Sequence, residues 1–482
     1  MGDFGDVSLA DWRALVDEDL HGASFEKVLV HRSTEGLATQ PLYIEASATP
    51  LVDATERFRI CMRHTSVGSI GQDLDAGADA LWLVPATVKD QEQMVAATAG
   101  FTGRVFVEGE VGVVSTLRYH EAGAEAAEEL ALALSSGAAA LRVGISASSL
   151  TFRVSVGRDT FSELCKLRAL RVLWDKVLVA SGDPAPVPIT IHAVSSSRTL
   201  TVRDAATNML RTTTQVFAAI VGGADFVTPT AFDEATGEAS ELAHRVARNT
   251  GLILRDESQL GRVVDAAGGS YYFESFTDAL AREAWMRFCA LERDGGVRSL
   301  EASGELARRL ATAWQEREAR IATRAEPIVG VSEFAALGES APAPGIISRG
   351  GLPRHRDAEA FESLRARIEA HTPPVEVALV SMGPIAEHRA RVAYCSALFA
   401  TAGIVTKEAA AGDIACLCGT DERYSAEGLA LARALKEAGC KRLLVAGRPG
   451  ALEAAWREAG VDDFVFMGCD VVATFQPIAG DA

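Results

Sequence analysis

The chain has 482 residues, too many for one hydrophobic core and enough for two or three domains. A hydrophobic content of 48% and a charged content of 23% argue against disorder, and a net charge of −18, from 65 acidic and 47 basic residues, argues against a nucleic-acid surface. No apolar run approaches the roughly 20 residues of a membrane helix, and the acidic start "MGDFGDVSLADWRALVDEDL" lacks a signal core and has Asp6 where a myristoylation signal takes Ser or Thr, so a cytoplasmic protein is expected.

Residues 1–45 read as an N-terminal arm that packs on another domain or chain. In it "LADWRALVDEDL" is an amphipathic helix with Leu9, Trp12, Leu15 and Val16 on one face, and "EKVLVHR" and "PLYIEAS" are extended. From 46 to 335, apolar runs alternate with helices. The expected strands are "FRICMRH", "ALWLVP", "RVFVEGE", "ALRVGIS", "FRVSVG", "PITIHAV" and "DFVTPT". Strand followed by helix, repeated, implies a parallel sheet, closed or doubly wound, and the length suits a TIM-like (β/α)8 barrel.

Within this region, residues 159–182 form a helix with Phe161, Leu164, Cys165, Ala169, Val172 and Leu173 at helical spacing. Glu163 and Lys166 are three apart, a surface pair worth about 0.2–0.5 kcal/mol. Arg168, Arg171 and Arg211 are likewise expected on solvated helix faces. "DAAGGSYYFES" (265–275) reads as a Gly-Gly turn that would let Tyr271 and Tyr272 pack in a barrel mouth.

Residues 336–372 form a linker with a helix, marked by the Gly-, Pro- and Ser-rich stretch 338–353 and the charged "DAEAFESLRARIEAH". From 373 to 482, the strands "VEVALV", "IVTKEA", "IACLCG", "RLLVAG" and "DFVFMG" alternate with helices, as in a small flavodoxin-like domain. Its loops "SMGPIAEH", "GTDERYS" and "AGRPG" would share the edge where such sheets bind ligands. Their glycines are sparse, and neither a dinucleotide fingerprint nor a P-loop occurs, so a nucleotide is not expected. No Ser-His-Asp or HExxH pattern stands out, and the nine histidines lack metal spacing. The eight cysteines include no CxxC; Cys416 and Cys418 are expected on opposite faces of their strand, as buried thiols rather than a metal site. His388, in the first loop, is the one candidate cofactor ligand there.

Several segments, in order, resemble the cobalamin-dependent methylmalonyl-CoA mutase family. They are "YHEAGAEAAEELALALSSGAAALR" (119–142), "RDTFSELCKLRALRVLW" (158–174), "TLTVRDAATNMLRTTTQVFAA" (199–219), "EREARIATRAEPIVGVSEF" (316–334) and, strongest, the segment from "FDEATGEASELAHRVARNT" to "VVDAAGGSYYFESFT" (232–277). The resemblance implies a barrel that takes acyl-CoA along its axis, and a degenerate cobalamin-binding α/β domain. The family's reaction is a radical interconversion of (R)-methylmalonyl-CoA and succinyl-CoA.

Aligned with the family, His192 matches a motif histidine and Thr190 falls where active members place a carboxylate-binding arginine. Thr228 stands at the active-site histidine and Cys61 at the active-site tyrosine. Thr190 cannot make the bidentate contact of an arginine, and a threonine hydroxyl cannot act as imidazole does. The cobalamin loop has a D-x-H-x-x-G core in active members. Here, with Met382 and Gly383 setting the register, Ile385 replaces the aspartate, Glu387 the histidine and Ala390 the glycine. His388 is one residue late, and one residue turns a helical side chain by about 100°, so it is expected on the solvent side.

The resemblance therefore implies a non-catalytic small (β) subunit of a heterodimeric methylmalonyl-CoA mutase, with no catalytic, cofactor-binding or metal-binding residue of its own. The partner is the large subunit, which carries adenosylcobalamin. Acyl-CoA would bind this chain at most weakly, and neither nucleic acid nor membrane is a partner. Residues 11–43 resemble the family's arm that wraps the partner, and 65–118 is abbreviated against the family barrel. Two alternatives stand beside it: a mutase active in its own right with His388 as a shifted cobalt ligand, and an acyl-CoA-binding module.

Overall fold

Seven short runs, buried for the most part except in β3 and β4, pair into one parallel sheet: β1 (Arg59–His64), β2 (Ala80–Leu83), β3 (Arg104–Val107), β4 (Val113–Ser115), β5 (Thr151–Val156), β6 (Thr190–Ser195) and β7 (Phe226–Thr228). The computed structural model describes residues 7–45, 58–182, 187–237, 239–339 and 351–481. Asp6, the stretch 46–57 and most of the Gly-, Pro- and Ser-rich part of the expected linker, 340–350, lie outside the described residues.

The strand order is β3-β2-β1-β7-β6-β5-β4. The first strand pairs with the last, Arg59 opposite Phe226 and Ile60 opposite Val227, so the sheet curls into a TIM-like barrel with one seam, between β3 and β4. The seam has a local cause. Only residues 108–112 join β3 to β4, whereas a parallel crossover takes a dozen or more. It falls in the stretch expected to be abbreviated.

Outside the barrel lie α1 (Ala126–Arg142), α2 (Thr160–Ala180), α3 (Asn208–Val221), α4 (Glu241–Leu252) and α5 (Tyr271–Arg293). "ALRVGIS" is not a strand: α1 runs through it to Arg142, and Gly144, at φ +88°, follows as a left-handed stop. The strand that takes its place, Val113–Ser115, is too short and too close to β3 to stand out. Tyr271 and Tyr272 begin α5 rather than lining the mouth; Tyr272 packs against Tyr43 and Phe161 on the outside.

The charges on α2 are also not where the spacing puts them. Lys166 is 1% exposed, with Glu129 Oε2 at 2.8 Å and Glu163 Oε2 at 2.5 Å. Arg168 lies 2.9 Å from Asp265 and 2.8 Å from Glu274. Arg171 donates to the Ile189 carbonyl (3.0 Å) and to Asp225 (3.1 Å). These side chains face inward because α2 is covered by α1, which supplies Glu129, by α5, which supplies Glu274, and by the segments that carry Asp265 and Asp225. Arg211 is half-buried and donates to Asn208 (2.6 Å).

The second sheet holds β8 (Glu376–Ser381), β9 (Val405–Glu408), β10 (Ile414–Cys418), β11 (Arg442–Ala446) and β12 (Asp463–Val465), all parallel, in the order β9-β8-β10-β11-β12. This is the flavodoxin order. Helix α6 (Glu359–Glu369) joins the two units: Phe361, Leu364 and Ile368 pack in the second core, and Glu362 accepts the Val202 amide (2.7 Å) beside the barrel. Helix α7 (Ile385–Ala400) covers one face of the sheet. Cys416 and Cys418 share that face, contrary to expectation, because residues two apart in a strand point the same way.

Candidate functional site

Ligands of parallel barrels bind at the C-terminal ends of the strands. A cavity of about 1320 Å³ opens there, where His64 ends β1, Ser195 ends β6 and Thr228 ends β7. Its less exposed charges pair with one another. Arg63 meets Glu234 at 2.6 Å and Arg354 meets Glu121 at 3.2 Å. Asp73 is shared by His64 (3.2 Å), His244 (2.5 Å) and Arg248 (2.5 Å). Burial alone would raise the Asp73 carboxyl, but hydrogen bonds from His244 and His64 hold it well below the usual carboxylate range.

Below the cavity the barrel axis is filled. Cys61, Trp82, Phe106, Val194 and Phe226 form its apolar interior. Arg153 and His192 lie among them at 1% and 0% exposure. The Arg153 guanidinium stacks 4.1 Å over Trp82 and is tied to Glu108 at 3.1 Å. Its Nε donates to His192 Nδ1 (3.1 Å), which makes Nδ1 the acceptor and leaves Nε2–H to donate to Thr228 Oγ1 (2.7 Å). Burial, then the Arg153 charge, hold His192 well below its ordinary value, so the ring is neutral. It stacks on Phe106 at 5.0 Å.

Of the positions singled out from the sequence, Thr228 and Cys61 meet here. Cys61 is fully buried, its thiol pushed up to about 12 by burial despite a hydrogen bond with Thr228. Thr190 opens β6, two residues before His192, and does not line the cavity. Arg153 escaped sequence reasoning; its one signal is a charge inside the apolar run "FRVSVG". A buried network beside the mouth escaped it too. Ser196 Oγ lies 2.7 Å from His120 Nε2, and His120 Nδ1 lies 3.4 Å from Glu129. The order is that of nucleophile, base and orienting acid, but Glu129 is already bound by Lys166, Thr116 and the Ser155 amide. Burial, followed by the charge of Arg198, brings His120 down to about 4, too weak for a general base at neutral pH.

At the edge of the second sheet, the "SMGPIAEH" and "GTDERYS" loops are tied together. Glu387 pairs with Arg423 at 2.7 Å, and Arg391 pairs with Asp421 at 2.6 Å while donating to the Gly419 carbonyl. Gly383, at φ +73°, fits beneath the first pair; a Cβ there would stand 2.6 Å from Glu387 Oε2. Helix α7 already begins at Ile385, which is 71% exposed, and Ala390 is exposed on it. His388 is not on the solvent side: it is 7% exposed, and its Nδ1 donates to the Gly383 carbonyl (3.2 Å). The helix starts so soon after β8 that this turn faces the sheet. A cobalamin needs an accessible imidazole and room at this edge. The buried ring and the two ion pairs do not fit it.

A family model described as methylmalonyl-CoA mutase matches residues 82–419. The methylmalonyl-CoA mutase small subunit of Streptomyces virginiae is 43% identical over 392 residues, which are 75% of this chain and 62% of that protein. The "Probable methylmalonyl-CoA mutase small subunit" of Mycobacterium tuberculosis (strain ATCC 25618 / H37Rv) is 37% identical over 442 residues, 83% of this chain and 69% of that protein. The methylmalonyl-CoA mutase small subunit of Propionibacterium freudenreichii subsp. shermanii is 36% identical over 388 residues, 74% and 61% respectively. The chain thus spans a little over three fifths of the Streptomyces and Propionibacterium relatives.

Proposed function

The chain belongs to the methylmalonyl-CoA mutase family, and from that premise we propose that it is the non-catalytic small subunit, stabilising a catalytic large subunit. The assembled enzyme interconverts (R)-methylmalonyl-CoA and succinyl-CoA, with adenosylcobalamin on the large subunit. The observation that carries this reading is the filled barrel axis: Trp82, Phe106, Arg153, His192 and Phe226 occupy the space an acyl-CoA would thread. Thr190, Thr228 and Cys61 supply neither guanidinium, imidazole nor phenol at the positions where active members carry them. The relatives' name, small subunit, supports a partner subunit.

Co-expression with a family large subunit, followed by affinity capture of this chain, tests the proposal. A stable complex is expected, with mutase activity that the large subunit loses when its partner is withheld. Failure to recover any complex would sink it. The reading in which this chain carries its own cobalamin is opposed by His388, buried and bonded to its own loop. An absorbance spectrum of the purified chain with cobalamin should show no histidine-ligated form.

A further inference from the structure

Three cysteines converge beneath the edge of the second sheet. Cys395 comes from α7, and Cys416 and Cys418 come from the last turnless stretch of β10. All three are 0% exposed. Cys395 Sγ and Cys416 Sγ are 3.8 Å apart, and the three sulfurs all lie within 4.8 Å of one another. No disulfide joins them. With a metal–sulfur bond of about 2.3 Å, sulfurs around a trigonal centre stand about 4 Å apart. The Cys395–Cys416 pair has that spacing, and Cys418 Sγ lies within 4.8 Å of both.

We propose that Cys395, Cys416 and Cys418 form a three-sulfur site for a soft monovalent cation of the Cu(I) class. Neither the family reading nor the relatives' names assign this site, and the proposal stands whether or not the chain is a mutase subunit. Ligand number selects the ion. Among the described residues no fourth Cys, His, Asp or Glu donor joins the group, whereas structural zinc takes four ligands. Thiolates select Cu(I) among the first-row ions, along with zinc. The surroundings are apolar, with Leu379, Leu398, Phe399 and Leu444 in the same cluster.

Charge is provided for in part. Arg391 lies one turn before Cys395 on α7 and reaches the Gly419 carbonyl next to Cys418. Binding transfers no electron: the ion stays monovalent, and each thiol that ligates releases its proton to solvent.

The test uses the full chain, reduced, metal-free and under anaerobic conditions, titrated with Cu(I) against a chromophoric Cu(I) chelator. One Cu(I) per chain is expected to be withdrawn, with thiolate-to-copper absorption in the near ultraviolet. Cys416→Ala should weaken uptake by at least about tenfold, since even an outer-shell partner of a metal site is worth 10–100-fold. Cys289→Ala, on the barrel helix α5, should leave uptake unchanged. X-ray absorption at the copper edge reads the site without any variant and should show three sulfur neighbours. Two or four sulfurs, no copper withdrawn, a folded Cys416→Ala chain that takes up as much, or displacement of copper by equimolar Zn²⁺ would each overturn the proposal.

Discussion

Lys166 has the spacing of a surface residue and the burial of a core one. Nothing in its neighbourhood of sequence separates an exposed i, i+3 pair with Glu163 from a buried triad, because the deciding partner, Glu129, comes from another helix. The same holds for Arg168, whose partners Asp265 and Glu274 are about a hundred residues away. Breaking a buried pair strands the other charge, which costs about 3–5 kcal/mol. Lys166→Met is expected to lower the urea unfolding free energy by that amount, and adding Glu129→Gln should cost less than the sum of the two single changes. His120 gives the same network a pH signature. Its folded value of about 4 lies below the ordinary 6.5, so below pH 6.5 the unfolded chain binds a proton that the folded chain refuses. Stability is then lost as pH falls from 6.5 toward 4, by roughly 3 kcal/mol for this group. Glu129, held low by Lys166 against its own burial, adds a loss of the same sign below its ordinary 4.5. Melting temperature should therefore fall steadily from pH 7 to pH 5, and fall less steeply in His120→Gln. A melting temperature that rises on acidification would contradict the assignment.

Elements were readable wherever pattern and length agreed. All five strands of the second sheet occur where expected: four hold short apolar runs bounded by turn residues, as buried parallel strands do, and the edge strand Val405–Glu408 is polar and mostly exposed. "ALRVGIS" failed because a short apolar run at the end of an alanine-rich helix has no period of its own. What fills the barrel could not be read at all. Phe106, Trp82 and His192 belong to three strands, and only closure of the sheet makes them neighbours. Similarly, the substituted loop positions Ile385, Glu387 and Ala390 could be named from the sequence, but not the ion pair Glu387 forms with Arg423 from the next loop. The filled interior predicts a large cost for hollowing it. Phe106→Ala should destabilise the chain by about 3–5 kcal/mol, against less than about 0.5 kcal/mol for Ile385→Ala at the exposed start of α7, both measured by chemical denaturation. Equal, small effects would mean that the axis collapses freely and is no plug.

At the scale of the whole molecule, the chain holds a barrel whose interior is occupied, a sheet whose ligand edge is tied shut, and an arm with little to pack against. The helix Leu9–Asp19 is capped by a reciprocal Ser8–Asp11 box yet buries none of its residues, with Leu9 49% and Leu15 62% exposed. An amphipathic helix that leaves its apolar face in water contributes little to its own chain. The rest of the arm is anchored further on, where Glu35 accepts the Ala127 amide (3.3 Å) and Tyr43 packs edge-on to Tyr272. If the arm serves the proposed large subunit, removing residues 1–28 separates two functions. The truncated chain keeps its anchor and should keep its melting temperature within about 2 °C, since the buried residue it loses, Phe25, packs on Trp12 and Arg13, which go with it. Capture of the large subunit should be lost or strongly weakened. A truncated chain that captures the large subunit as well as the full chain does would place the contact on the outer faces of the barrel or the second sheet, and leave this helix without that role.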